Sequence, residues 1–178
     1  MKYMSGLGLL FVVLAPLSTL ADGMRDSLVA FKGGIGVIPV SNVVVSTTTP
    51  PVTTATANIV RGISPAGQIW VIAGLDATVS TDGHIRARGR GLLLGGGNGI
   101  GTSAGLNVFA TLFCGPAASA TASSSTETGV TLAANGDFTI DDTLSPAPPN
   151  PCDMPVLLIR NAAGTHAWFA AGIPYQND

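Results

Sequence analysis

The chain has 178 residues, of which 46% are hydrophobic and only 10% are charged. This length predicts one ordinary-sized domain, and the composition excludes an intrinsically disordered chain, because such chains are poor in apolar residues and rich in charge. The formal net charge of −2 predicts no attraction to nucleic acid for the molecule as a whole.

The N-terminus has the pattern of a secretory signal peptide over residues 1–21. Lys2 supplies the positive charge, residues 6–15 form an apolar run, and the small residues Thr19 and Ala21 fit the −3 and −1 positions of a cleavage site. The apolar stretch is shorter than the roughly 20 residues that a membrane-spanning helix needs. We therefore expect a secreted protein, either extracellular or in the periplasm or cell envelope, with no transmembrane segment in the mature chain.

The predicted export bears on the redox state of the two cysteines. Cleavage after Ala21 removes Lys2, so the net charge falls from −2 to −3 and residues 22–178 enter an oxidising compartment. Cys114 and Cys152 are an even pair and are expected to form a disulfide, whereas buried free thiols would be expected in a cytosolic protein. The chain-entropy treatment assigns such a bridge on the order of 4 kcal/mol of stability.

After the predicted signal peptide, short apolar or alternating runs are separated by turns rich in Gly, Pro, Asn-Gly and Asp-Gly. Strands are predicted at 36–46, 58–62, 68–80, 84–94, 106–114, 130–133, 137–142, 155–161 and 167–173. Their spacing favours a single all-β domain over 22–178, an antiparallel β-sandwich that is Ig-like or a related Greek key, with a barrel as the second choice. The Thr/Pro-rich residues 46–57 are expected to form a loop of that domain, and an extended or O-glycosylated linker is the alternative.

Two turns can be assigned from residue types. Thr81, Asp82 and Gly83 suit a three-residue hairpin loop, and that register places Val79 opposite Ile85 and Asp76 opposite Arg88. Asn135-Gly136 is a strong hairpin dipeptide between the predicted strands 130–133 and 137–142. A third, weaker turn is predicted at 162–165.

The best candidate for a binding site is the predicted strand that begins at His84. Because side chains alternate along a strand, His84, Arg86, Arg88 and Arg90 share one face. Arginines about 7 Å apart can grip a sulfated or phosphorylated polymer. The alternative interpretation is a solvated outer face of the sheet, in which Asp76 neutralises Arg88.

Carboxylates offer a weaker alternative. Asp137 and Asp141 share a face of their predicted strand and are candidates for a calcium ligand pair or for the acids of a polysaccharide hydrolase. Glu127 is the only glutamate in the chain, and the cysteines and histidines lack zinc-like spacing. The sequence therefore predicts no cofactor and no dedicated metal site.

These patterns favour a secreted, non-enzymatic β-sandwich protein with a binding or structural role outside the cell or in its envelope. The expected partners are a polyanionic or carbohydrate polymer, or a second copy of the chain, because a mean hydropathy of +0.45 leaves apolar surface for self-association. The alternative is a secreted hydrolase of polysaccharides that uses the carboxylates near Asp137 and Asp141.

Overall fold

The computed structural model of the protein describes residues 26–175 of the chain. The predicted signal peptide, residues 1–21, lies outside the described residues. Within residues 26–175 the secondary structure consists of strands, turns and irregular segments, with no helix. This confirms the prediction of an all-β fold.

Thirteen strands are present in the described part of the chain. They are β1 (Ser27–Gly36), β2 (Val40–Val45), β3 (Thr53–Ala57), β4 (Trp70–Val71), β5 (Gly74–Ser80), β6 (His84–Arg90), β7 (Leu93–Leu94), β8 (Asn107–Cys114), β9 (Thr121–Ser124), β10 (Val130–Thr131), β11 (Phe138–Thr143), β12 (Val156–Asn161) and β13 (Trp168–Tyr175).

Nine of these strands form one antiparallel sheet. Its order is β10-β8-β12-β13-β1-β5-β6-β11, and β9 pairs with the same edge of β8 as β10 does, further along that strand. β1 lies in the middle of the sheet, between β13 and β5. Two smaller pairs, β2–β3 and β4–β7, lie outside this sheet.

The large sheet curls into a half-barrel, so that its two edges approach each other. Ser124 and Ser145 exchange backbone hydrogen bonds of 3.0 and 2.8 Å between these edges. The Thr126 backbone N–H donates to a carboxylate oxygen of Asp142 at 2.8 Å. A strongly twisted sheet of this width tends to curl, and the curl brings side chains of distant strands together on its inner face.

The core lies on the inner face of the curled sheet and, at β8 and β12, on both faces, because consecutive residues of these two strands are buried. Its largest fully buried side chains are those of Phe31, Val37, Leu75, Val79, Ile85, Leu92, Val108, Phe109, Leu112, Leu157, Leu158 and Ile159. These residues come from β1, β5, β6, β8 and β12 and from the segments beside them. The core therefore ties together strands that are far apart in sequence.

The predicted disulfide is confirmed: Cys114, at the end of β8, is bonded to Cys152 in the segment before β12. Within residues 26–175 there is no free cysteine. The bridge therefore tethers the end of the proline-rich segment 145–151 to the end of β8.

The structure differs from the predicted elements at one strand, at the Thr/Pro-rich loop and at two segments that were not predicted to be strands. Residues 58–62 do not form a strand and contribute only an isolated bridge between Val60 and Ile63. Residues 53–57 form β3, so the Thr/Pro-rich loop spans only 46–52. The segments that become β1 before Gly36 and β9 were not predicted as strands, since Gly33-Gly34 and an Ala/Ser/Thr run carry no alternation of polar and apolar residues.

Candidate functional site

The hairpin of β5 and β6 sets the geometry of the predicted arginine site. Gly83 has a φ of 83°, the left-handed conformation that the three-residue loop requires. The register pairs Asp76 with Arg88 and Val79 with Ile85, as predicted, and Ala77 with Ala87 between them. The prediction of this hairpin is confirmed residue by residue.

Along β6, exposure alternates as the sequence predicts. Ile85, Ala87 and Gly89 are buried, whereas Arg86, Arg88 and Arg90 are exposed and His84 is half-buried. Gly89 is required here because the ring of Phe138, its partner on β11, occupies the space that a side chain at Gly89 would need. The arginines therefore project from a strand whose other face packs against the core.

Pairing across the sheet places the charged residues of four strands on one outer surface. We call it the arginine face and define it by Lys32, Asp76, His84, Arg86, Arg88, Arg90 and Asp141. One row runs Lys32, Asp76, Arg88 and Thr139, and the next runs Thr78, Arg86 and Asp141. Cations and carboxylates thus occupy neighbouring strands, with more cations than carboxylates.

Asp141 forms the one ion-paired cluster on this face among the described residues. Its Oδ1 lies 2.7 Å from Nε2 of His84, and its Oδ2 accepts a hydrogen bond from Nε of Arg86 at 3.0 Å and lies 2.9 Å from Nη2 of the same guanidinium. The hydrogen bond with Arg86, and then that with His84, lowers the pKa of the Asp141 carboxyl below its usual range. Asp141 is therefore a carboxylate at neutral pH, and Arg86 is largely committed to it.

Arg88 and Arg90 differ from Arg86, because neither makes an ion pair with any residue in 26–175. Asp76 lies opposite Arg88, yet the two side chains do not approach within ion-pair distance. The guanidinium of Arg90 leans across β5 over Gly74, where the absence of a side chain leaves room for it. Two guanidinium groups are therefore free to bind an anion.

The other described arginines have structural partners. Arg61 donates to the backbone oxygens of Gly115 and Met154 at 2.8 and 2.9 Å. Arg160 donates to the backbone oxygen of His166 and to the hydroxyl of Thr111. Lys32 lies on the arginine face, 3.9 Å from the centre of the Tyr175 ring. The unpaired cations of residues 26–175 are thus collected on one surface.

Two shallow depressions lie on this face, one on each side of the Asp76 and Arg88 pair. One has a volume of about 270 Å³ and is lined by Lys32, Thr78 and Arg86 together with that pair. The other has a volume of about 610 Å³ and is lined by Arg90, Asp137 and Thr139 together with that pair. An open, shallow surface of this kind suits an extended polymer better than a small ligand, which binds in an enclosed pocket.

The predicted carboxylate pair is not brought together. Asp137 precedes β11 and its two carboxylate oxygens accept hydrogen bonds from the backbone of Gly91 and from the side chain of Asn135. Asp141 lies four residues further along the chain and is bound to His84 and Arg86. Within residues 26–175 no group of three or more His, Cys, Asp or Glu side chains is placed to hold a metal ion.

The Asn135-Gly136 turn joins β10 and β11, which do not pair with each other as the two strands of a hairpin would. Gly136 takes a φ of 81°, as predicted for this dipeptide, but β10 pairs with β8 and β11 pairs with β6. The turn therefore links the two edges of the curled sheet. The Ala133 N–H donates to the Asp137 carbonyl, and the Gly136 N–H donates to the Ala133 carbonyl. This connection places β11, and with it Asp141, beside β6.

Sequence reasoning missed Lys32, Tyr175 and the role of Asp141 as partner of His84 and Arg86. Lys32 was missed because β1 was not recognised as a strand before Gly36. The pairing of Asp141 with Arg86 joins residues 55 positions apart. The only local signal for it was the period of two that Asp141 shares with Thr139, which marks an outward-facing strand residue.

Residues 26–175 contain no helix with the length and hydropathy that a membrane crossing needs. The chain matches no protein-family model, no curated protein and no solved structure. Its function therefore has to be argued from the arginine face and from the rest of its own surface.

Proposed function

We propose that this is an exported, non-enzymatic binding protein of the β-sandwich class that holds a sulfated or phosphorylated polymer on its arginine face. The observation that carries the proposal is the pair of guanidinium groups of Arg88 and Arg90, exposed and without an ion-pair partner among the described residues. Lys32 adds a third cation to the same surface.

The chemistry of these groups fits an anionic polymer. A guanidinium donates two parallel hydrogen bonds to the oxygens of a sulfate or phosphate, which a lysine ammonium cannot do. Arginines two residues apart on a strand are about 7 Å apart, so successive anionic groups of one chain can each meet one arginine. Asp76 and Asp141 reduce the net charge of the face, so the binding is expected to be weak and sensitive to salt.

Nucleic acid is a poor candidate for this polymer. The mature chain carries a net charge of −3, and the arginine face includes two carboxylates, so the phosphate backbone of a long duplex would meet repulsion around the site. Only a local contact with a few anionic groups is favourable. An acidic polysaccharide with spaced sulfates or phosphates meets this condition.

The contacts of Asp137 and Asp141 do not favour the alternative of a polysaccharide hydrolase. A catalytic general acid needs a raised pKa, whereas the pKa of Asp141 is lowered by Arg86 and His84. Two carboxylates four residues apart on an extended chain are about 13 Å apart, beyond the separation that glycosidases use. The hydrogen bonds of Asp137 are used to hold the turn at Asn135.

Export is part of the proposal, and the location is extracellular, periplasmic or in the cell envelope. The bonded pair Cys114–Cys152 supports it, because structural disulfides form in oxidising compartments. Mass spectrometry of the protein recovered outside the cytoplasm tests this step. A mature chain that begins at Asp22 is expected, and a chain that keeps residues 1–21 would contradict it.

Retention on a heparin column tests the binding. We expect the wild-type protein to be retained at about 20 mM salt, where the Debye length is on the order of 20 Å, and to elute as salt is raised. The double substitution Arg88→Gln and Arg90→Gln should abolish retention. Asp141→Asn should increase the salt needed for elution, because it releases Arg86 from its partner.

A matched control separates the site from overall charge. Gln68→Glu with Asn98→Asp lowers the net charge by the same two units at exposed positions outside the arginine face. This control should remain on the column under conditions in which the double arginine variant flows through. Equal loss in both variants, or no retention of the wild type, would refute the proposal.

A further inference from the structure

The strands β2 and β3 form a hairpin that protrudes from the body of the protein. We call β2, β3 and the loop 46–52 between them the arm. Every residue of both strands is exposed, on both faces of the hairpin. An isolated two-stranded hairpin is at best marginally stable in water, so a hairpin exposed on both faces calls for an explanation.

The arm is an ordered extension of the body and not a loose loop. At its base, Val37 is fully buried, donates to the Phe169 carbonyl at 2.9 Å and accepts from the Trp70 N–H at 3.1 Å. On the other side of the base, the side chain of Asn58 donates to the Ile38 carbonyl, and its own carbonyl accepts from the Trp168 indole at 3.0 Å. The arm is therefore anchored at both of its ends.

The tip of the arm is also held by hydrogen bonds. The Ser46 N–H donates to the Val52 carbonyl at 2.8 Å, and the Val52 N–H donates to the Ser46 hydroxyl at 2.9 Å. That hydroxyl lies 2.6 Å from the hydroxyl of Thr48. A closed tip and an anchored base define a preformed surface.

The two faces of the arm differ in polarity. In the register of the hairpin, Val43 is opposite Ala55, Val45 is opposite Thr53 and Val40 is opposite Ala57, so these residues share one face, the apolar face of the arm. The other face carries Asn42, Val44, Thr54 and Thr56. Val40, Val43 and Val45 are 39, 54 and 58% exposed.

The surroundings of the arm extend the apolar surface. Ile35 and Ile38 before β2, and Ile59 after β3, are 59, 60 and 59% exposed. These three isoleucines, like Val40, Val43 and Val45 of the apolar face, are each at least 39% exposed. A cluster of exposed aliphatic side chains within one segment is typical of an interaction site.

The absence of charged residues from the arm favours a second copy of this chain as its partner. Residues 33–60 contain no Asp, Glu, Lys, Arg or His, although Lys32 and Arg61 flank them directly. In a twofold contact each residue near the axis meets its own copy, so a charged side chain there would meet a like charge. A long segment without any charge can pair with itself at no such cost. It also lacks the charges that protect exposed strands from association.

We propose that the arm is a dimerisation element, in which its apolar face packs against the apolar face of the arm of a second copy of this chain. The contact is isologous, with Val43 and Val45 near its centre. It lies on elements separate from the arginine face, so a dimer presents two arginine faces to one polymer and gains affinity by multivalency.

Sedimentation velocity of the protein between about 1 and 100 μM tests this proposal. We expect the wild-type protein to sediment as a dimer at the upper end of that range. The double substitution Val43→Lys and Val45→Lys should raise the dissociation constant roughly 100-fold or more, because it places unpaired charges in the contact. Thr54→Lys with Thr56→Lys adds the same charge to the opposite face and should leave the dimer intact.

The far-UV circular dichroism and thermal unfolding of both variants serve as the folding control, and both should match the wild-type monomer because the arm lies outside the core. A wild-type protein that is monomeric at about 100 μM would overturn the proposal. So would a valine variant that still dimerises, or a threonine variant that dissociates as far as the valine variant does. Sedimentation of the Arg88→Gln and Arg90→Gln variant distinguishes this proposal from that of the arginine face: it should still dimerise although it no longer binds heparin.

Discussion

The hairpins β5–β6 and β2–β3 have the same antiparallel pairing and opposite surfaces. In β5–β6 a buried residue alternates with an exposed one, and the exposed positions of β6 are arginines. In β2–β3 all positions are exposed and none is charged. The first pattern is that of a sheet with one face against the core and one against water.

The contrast teaches how a chain with few charges can use them. Only 10% of its residues are charged, and three of its eight basic residues lie on the single strand β6. Where charge is concentrated, the surface faces water and ions. Where charge is absent from a protruding, β-branched hairpin, the surface is suited to contact with protein. The first surface is the proposed binding site for an anionic polymer, and the second is the proposed dimer contact.

The loss of an aliphatic side chain should affect the two hairpins very differently. Ile85 of β6 is fully buried, so Ile85→Ala should lower the free energy of unfolding by about 2–5 kcal/mol. Val44, on the more polar face of the arm, is 55% exposed, so Val44→Ala should change it by less than about 0.5 kcal/mol.

Urea denaturation of both variants at one fixed protein concentration measures this difference. The fixed concentration is needed because association stabilises the folded state by mass action. Similar losses in the two variants would mean that the arm packs as tightly as the body, and the distinction between the hairpins would fail.

A second prediction concerns the packing of the Phe138 ring against Gly89 on the buried face of β6. An added methyl group at Gly89 would overlap the ring of Phe138, so Gly89→Ala should lower the free energy of unfolding by about 1–3 kcal/mol. Phe138→Leu in the same chain should restore part of that loss. Gly67→Ala is the matched control, since nothing lies within 4 Å of the added atom and the change should be neutral or slightly stabilising.

The Gly89 result would be read from thermal or urea unfolding of the three variants. A Gly89→Ala protein as stable as the Gly67→Ala control would show that the Phe138 ring moves aside freely. In that case the alternation of buried and exposed residues along β6 would depend less on β11 than the structure indicates.

The sequence was most informative where a structure depends on neighbouring residues. The β5–β6 register follows from one three-residue turn and the alternation on both sides of it, so Asp76 and Arg88 were placed opposite each other correctly. The disulfide followed from predicted export and an even count of cysteines. In both cases the evidence lay within a short segment or in the composition of the chain.

Contacts that depend on distant strands could not be predicted in the same way. β11 lies beside β6 because the sheet curls until its edges meet, and no local pattern specifies that pairing. Thr121–Ser124 is a strand because the edge of β8 offers it backbone partners, although Ala, Ser and Thr give it no clear strand signal. The ion pair of Asp141 with Arg86 depends on the first of these two pairings.

The last prediction concerns the ion pair of Asp141 with Arg86 and its small contribution to stability. It tests whether Arg86 is held by a carboxylate while Arg88 and Arg90 are not. The pKa of Asp141 is lower in the folded protein than in the unfolded chain, first through Arg86 and then through His84. The carboxylate therefore contributes stability at pH values above the unfolded pKa of about 3.9, and this contribution is lost as the pH falls through the folded pKa. Asp141→Asn should have a lower melting temperature than the wild type at pH 7, and the difference should disappear toward pH 2.

Because Asp141 is solvent-exposed, added salt should also shrink this difference at pH 7. Asp76→Asn is the matched control: it removes a carboxylate from the same face that makes no ion pair within residues 26–175, and its melting temperature should stay near that of the wild type at both pH values. Differential scanning calorimetry resolves shifts of this size. If Asp76→Asn and Asp141→Asn behave alike across the pH range, Arg86 is as free as Arg88 and Arg90, and all three arginines are available to an anionic polymer.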